Sequence, residues 1–274
     1  MNDDSFRAVT PIRPAAAYIG GKRRLGEQLA RRIEAGPHNT YAEPFVGMGG
    51  VFFRRRWARR EMINDVSRDV ATLFRILQRH YPQFMETLKF QITSRREFER
   101  LAACNPDTPT DLERAGRFLY LQRLGFGGKA AGRNFGIDSN GPARFNVTKL
   151  GPLLDEIHEP RRRRVECLPW AEFVQRYDSP TTLFYLDPPY WGSEIDYGAG
   201  VFSRLAAQLS EIAGKFLLSV NDVPEMREAF SRFTIESVAT RYTVSGGSGI
   251  EVGEIVVTGP SPDAVPLARD LLSL

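Results

Sequence analysis

At positions 182–186 an apolar, strand-favouring run passes without a break into Asp187-Pro188-Pro189-Tyr190. A run of this length and character reads as a buried β-strand. The two prolines next in the chain remove two backbone donors and hold it extended. The strand therefore ends by presenting a carboxylate, and the Pro188 carbonyl has no ladder to join. A buried strand that stops on polar groups belongs in an open α/β sheet, where ligands collect at the carboxyl ends of the strands.

The rest of the chain supplies that sheet. Tyr18-Ile19-Gly20-Gly21-Lys22 leads into a helical pattern through Leu25, Leu29 and Ile33. Positions 41–46 read as a short strand broken by Gly47-Met48-Gly49-Gly50, with a helix expected from about Val51. Positions 61–65 fit a strand ending in an acid, followed by an amphipathic helix through Val70, Leu73, Phe74 and Leu77. Alternation resumes with a strand at 165–168, a helix at 170–177 and the run at 182–186. A helix at 205–212, a strand at 215–220 and a helix at 223–233 come next. The β-rich stretches 234–244 and 251–258, joined by Ser245-Gly246-Gly247-Ser248-Gly249, suit a hairpin and so an antiparallel edge pair.

Positions 81–159 break the alternation. They are helical at first, through Phe98, Leu101, Phe118 and Leu121. They then become glycine-rich and basic, with Lys129, Arg133 and Arg144 among the glycines and Phe126 and Phe135 interleaved. The organisation expected is one doubly wound domain from 1–80 and 160–274, carrying an inserted module at 81–159.

Of the 274 residues 42% are hydrophobic, enough for one large core with such an insertion. The net charge of +4 is a mild excess, but arginine is dense in Arg54 to Arg56, in Arg59 with Arg60, and in Arg161 to Arg164. Guanidinium forks match phosphate oxygens, so these runs are candidate nucleic-acid contacts as well as solvated faces. Cys104 and Cys167 offer neither a disulfide framework nor zinc-ligand spacing, and the histidines lie far apart in sequence. No structural metal and a reducing, cytoplasmic location are expected. No apolar run approaches membrane-spanning length.

Three polar features fall at predicted strand ends: the glycines from Gly47 to Gly50, Asp65 and Asp187. An acid at the end of the second strand is placed to accept hydrogen bonds from ribose hydroxyls. At Asp187 the carboxylate and the Pro188 carbonyl can bind both hydrogens of an exocyclic amino group. That interaction draws the nitrogen lone pair out of conjugation and toward a methyl donor, which is what N-methylation of a nucleobase requires. Tyr190 supplies a face for an extruded base.

On these motifs the chain resembles the Dam-type DNA adenine N6-methyltransferases, over nearly its whole length. Tyr18-Ile19-Gly20-Gly21-Lys22 resembles the family's opening motif, and Glu43-Pro44-Phe45-Val46-Gly47-Met48-Gly49 its glycine motif. Asn64-Asp65 resembles its ribose acid, and Asp187-Pro188-Pro189-Tyr190 its catalytic tetrapeptide. The stretches 216–222 and 253–257 are similar to its closing strands. Where many relatives carry an acid after the strand at 165–168, Pro169-Trp170 stands here. Gln122-Arg123-Leu124-Gly125-Phe126-Gly127-Gly128 is similar to the DNA-recognition loop, although its side chains do not match the GATC-reading members.

The resemblance implies a Rossmann-like methyltransferase sheet, mostly parallel with an antiparallel C-terminal hairpin strand, and a mostly helical DNA-recognition insertion. It implies S-adenosylmethionine as cofactor, held by Tyr18, Lys22, Glu43, Pro44, Phe45, Gly47, Gly49, Asp65 and Asp187. Duplex DNA would be bound through Arg123, Phe126, Lys129, Arg133 and Arg144, with the target base flipped. A restriction endonuclease acting on the same site is a compatible partner. Cytosine N4, an RNA adenine or a protein amide are alternative acceptors for a similar tetrapeptide, and a DNA-binding protein without turnover is the reading from another class.

Overall fold

A computed structural model describes residues 12–18, 22, 25–125, 134–136, 145–158, 163–193, 199–242 and 250–260. Seven strands, β1 (Thr40–Glu43), β2 (Arg60–Asn64), β3 (Arg163–Glu166), β4 (Thr182–Leu186), β5 (Lys215–Asn221), β6 (Phe233–Tyr242) and β7 (Ile250–Pro260), form one sheet. Their order is β3-β2-β1-β4-β5-β7-β6. The first five are parallel, while β7 runs antiparallel between β5 and β6. This is the mostly parallel sheet with antiparallel C-terminal strands that the sequence implies.

Alternate strand residues feed two cores. Tyr41, Ile63, Leu183, Tyr185, Leu217 and Val256 face one layer, and Ala42, Met62, Phe184, Leu186, Leu218 and Val257 face the other. The first layer holds α1 (Gly26–Ala35), α2 (Arg68–Arg79), α3 (Tyr81–Leu88), α4 (Arg95–Ala103), α5 (Asp111–Leu124) and α6 (Val147–His158). The second holds α7 (Trp170–Tyr177), α8 (Ala199–Glu211) and α9 (Pro224–Ala229). All five residues of β4 are buried, as a central strand covered on both faces requires. Leu88 of α3, Phe98 of α4 and Phe118 of α5 share a continuous core with Leu29, Tyr41 and Leu183.

Local chemistry sets the starts of α4 and α5. The Ser94 hydroxyl accepts from the Glu97 N–H at the start of α4. At α5, Thr110 and Glu113 exchange side-chain and backbone hydrogen bonds as a capping box.

Two expectations are corrected. The helix expected from about Val51 is only a 3₁₀ turn, Phe52–Arg54. It stops because Arg55 turns inward, stacking 3.4 Å over the Tyr41 ring and pairing with Glu61 at 2.9 Å. Nor do the arginine runs present uniform basic faces. Arg55 is fully buried, Arg56 pairs with Glu34, and Arg163 is buried and donates to the Ile157 carbonyl.

Candidate active site

Strand order reverses direction between β1 and β4, and such a switch point opens a crevice at the carboxyl ends. Glu43 is the last residue of β1 and Asp187 the first beyond β4, so two acids flank that crevice. Lys22 enters from the N-terminal segment. That segment is pinned by Gln122, whose amide donates to the Ala17 carbonyl at 2.8 Å, and by Arg123, which donates to Ala15 at 2.6 Å.

The Lys22 ammonium has three protons and three neighbours for them. It lies 2.8 Å from Asp187 Oδ1 and 2.5 Å from Glu254 Oε1, and donates to the Tyr190 hydroxyl at 2.8 Å. It also sits 4.6 Å from the Tyr190 ring centroid. Lys22 and Glu254 are buried, whereas the Asp187 side chain keeps 18% of its surface. Burial pulls the Lys22 pKa down, but the charge of Asp187, the Tyr190 hydroxyl and the charge of Glu254 together outweigh it and hold the ammonium above the ordinary lysine range. Burial pushes Asp187 up to about 6 against the pull of Lys22, and Glu254 adds to the push. The Ser219 hydroxyl, 3.5 Å from Asp187 Oδ1, is itself paired with the Tyr185 hydroxyl at 2.8 Å.

The glycine loop forms the neighbouring wall. Gly47 and Gly49 adopt φ of +50° and +73°, the left-handed region that disfavours a side chain. A Cβ on Gly47 would meet the Tyr18 ring at 3.0 Å, and one on Gly49 the Phe53 ring at 2.5 Å. Asp65 comes directly after β2 and pins this loop. Its Oδ2 accepts from the Gly47 N–H at 2.9 Å and its Oδ1 from the Ser67 N–H at 2.8 Å. Burial raises Asp65 to about 6 despite those two bonds. Each oxygen keeps a second lone pair for a ligand hydroxyl. Glu43 is buried and pushed up to about 8, so it is mostly protonated at pH 7, with the Tyr41 hydroxyl donating to it at 2.8 Å.

The structure thus brings Tyr18, Lys22, Glu43, Gly47, Gly49, Asp65, Asp187 and Tyr190 to one end of the sheet. Pro44 is buried and its carbonyl accepts from Asn64, and Phe45 packs half-buried against the second core. Pro188 is buried and Pro189 is half-buried. Asn221 of β5 fixes the segment beyond Tyr190 by exchanging two hydrogen bonds with the Trp191 backbone. Arg123 lies against the N-terminal segment, and its burial lowers its pKa. Phe135 packs edge-on against Phe98 at 5.4 Å. Ile19, Gly20, Gly21, Phe126, Lys129, Arg133 and Arg144 lie outside the described residues. So does the 245–249 link.

Sequence reasoning names Asn64 only as the motif neighbour of Asp65 and Ser219, Asn221 and Glu254 only as members of closing strands, with no chemical role for any of them. Asn64 ties three strand ends together, donating to the carbonyls of Pro44 and Leu168 and accepting from the Leu168 N–H. A signal for Glu254 exists in the sequence, because an acid within the apolar stretch Ile255-Val256-Val257 and its flank must be paired if buried.

Residues 18–244 match the family model of the D12 class N6 adenine-specific DNA methyltransferases. The chain belongs to this family. A DNA adenine methylase of Haemophilus influenzae is 28% identical over 263 residues, covering 85% of this chain and 88% of that protein. A Type II methyltransferase of Lactococcus lactis subsp. cremoris is 28% identical over 275 residues, covering 90% and 95%. A DNA N-6-adenine-methyltransferase of Escherichia phage P1 is 26% identical, and there the match spans 34% of the longer relative. Among the described residues of this methyltransferase no helix is long and apolar enough to cross a membrane.

Proposed function

We propose that the methyltransferase moves the methyl group of S-adenosylmethionine to N6 of an adenine flipped out of duplex DNA, at the junction of Lys22, Asp187 and Tyr190. The observation that carries this reading is the division of labour on Asp187. Its Oδ1 is held by Lys22 and Ser219, while Oδ2 has no hydrogen-bond partner among the described residues and the side chain remains partly open. A fixed carboxylate with one free oxygen at a strand end is the acceptor an exocyclic amino group needs.

The site suits the cofactor. Two carboxylates surround one ammonium, a surplus of negative charge that fits a cation. Gly47 and Gly49 leave backbone uncovered, and Asp65 retains lone pairs for ribose. When bound, S-adenosylmethionine supplies an electrophilic methyl group on a cationic sulfonium. Asp187 Oδ2 and the Pro188 carbonyl accept the two amino hydrogens, a pairing that strengthens as the nitrogen becomes tetrahedral and positive. The proton leaves after the methyl arrives, because only then is the nitrogen strongly acidic, so Asp187 orients and stabilises before it receives a proton. Tyr190, its hydroxyl tied to Lys22, offers a fixed ring for the flipped base.

Residues 81–159 serve in this reading as the target-recognition module, with the basic glycine-rich stretch against phosphate. The reading places the enzyme in the cytoplasm, and the Type II relatives support pairing with a restriction endonuclease of the same site. The test is single-turnover transfer at saturating cofactor and DNA, with product nucleosides identified after digestion. Asp187→Ala should lose on the order of a hundredfold to a thousandfold in rate while DNA affinity holds. Parental rates from the folded variant, or a product other than N6-methyladenine, would overturn the reading.

A further inference from the structure

Glu254 is the least explained group in the site. It projects from β7, is 1% exposed, and its only polar contact among the described residues is the Lys22 ammonium at 2.5 Å. Its carboxylate oxygens make no hydrogen bond of good geometry. A buried carboxylate with one ionic neighbour is costly, and an apolar residue would pack there at less cost. The groups facing it and Asp187 are Lys22 from the N-terminal segment, Glu43 from β1, Tyr185 from β4, Tyr190 beyond β4 and Ser219 from β5.

We propose that Glu254 is a positioning residue for methyl transfer. It holds the Lys22 ammonium so that Lys22 orients Asp187 without neutralising it, and it leaves the cluster with one more negative than positive charge. The proposal rests on the functional reading above. During transfer a unit of positive charge moves from the sulfonium onto N6, toward Asp187. With Glu254 in place that charge arrives beside a net anion, whereas without it Lys22 and Asp187 cancel. The same charge disfavours ionisation of Asp187, so removing it makes Asp187 easier to ionise and yet a weaker partner for the cation.

Glu254→Gln keeps the volume and removes the charge. Two readouts separate positioning from mere structure. In the ligand-free protein, the Asp187 carboxyl signal, followed by carbon-13 NMR and assigned by its loss in Asp187→Asn, should titrate below the parental midpoint of about 6. In single turnover the plateau rate should fall about tenfold to a hundredfold, less than for loss of a direct contact, with the acid limb displaced to lower pH. If Glu254→Gln does not fold, Glu254→Asp should show both changes in the same direction at smaller amplitude. An unmoved Asp187 titration, or a parental plateau, in whichever variant folds would overturn the proposal. A parental enzyme that methylates no adenine would instead overturn the functional reading, while the NMR titration would still judge the electrostatic one.

Discussion

Replacing Lys22 with methionine removes the ammonium and keeps most of the volume. Lys22 is 2% exposed and touches two carboxylates, at 2.8 Å and 2.5 Å. At an effective dielectric constant near 20 each contact is worth about 6 kcal/mol before desolvation is counted. Most of that offsets the burial of the ions. Removing one partner leaves the others uncompensated, and the net loss for such sites is about 3–5 kcal/mol. The loss should depend on pH. Asp187 titrates at about 6, above the ordinary carboxylate value, so its contribution to stability is full below the unfolded pKa and is lost as pH rises through 6. Lys22 opposes that rise, and without it Asp187 should titrate higher still. The stability deficit of Lys22→Met should therefore be largest above pH 6 and shrink in acid. The acid limb of methyl transfer should move upward, the direction opposite to that expected for Glu254→Gln. Urea unfolding at several pH values and single-turnover rates at saturating cofactor measure both. A folded variant with the parental denaturation midpoint and an unmoved acid limb would refute the claim that Lys22 compensates these carboxylates.

Asp65→Ala should weaken S-adenosylmethionine binding by about 1.5–3 kcal/mol, the range for hydrogen bonds to a charged group, and calorimetry on the folded variant decides it. An unchanged dissociation constant removes Asp65 from the cofactor site and leaves it only the pinning of Gly47. Glu43 titrates near 8 in the folded chain, so its contribution to stability is full below the unfolded pKa and declines as pH rises toward 8. Glu43→Gln should gain stability over the parent across that window, by up to roughly 1.4 kcal/mol per pH unit. Chemical denaturation at pH 5.5, 7 and 8.5 should show the gap widening, and a constant gap would rule it out.

Much of this architecture is legible in the sequence because its signals are local. The helix at Trp170–Tyr177 and the strand at Thr182–Leu186 have the bounds that their apolar patterns indicate. Asp187 stands at a strand end because an acid succeeds an apolar run, and Asp65 because an acid closes the short strand pattern that begins at Glu61. Local patterns mislead where a distant partner overrides them. Nothing near Val51 announces that Arg55 will stack on Tyr41 and end the helix after one 3₁₀ turn. The arginine runs look alike as charge, yet Arg55 and Arg163 are inside while Arg56 pairs at the surface with Glu34. Charge counts do not tell a guanidinium that reaches phosphate from one that holds the core.

Glu254 belongs to the same class of long-range fact, and the topology explains why it had to come from the last strand. A parallel strand brings only its carboxyl terminus to the ligand end of the sheet, and there it breaks into a loop, as β1, β2 and β4 do at Glu43, Asn64 and Leu186. Because β7 runs antiparallel, it crosses that end in mid-strand, with Glu254 paired in register to Asn221. A mid-strand residue has its backbone fixed by ladders on both sides, here β5 and β6. An acid held by ladders on both sides is thus set against Lys22, and Asp187, the acid proposed to meet the substrate, keeps its open position at a strand end. One sheet supplies both rigidity and access because a single strand is reversed.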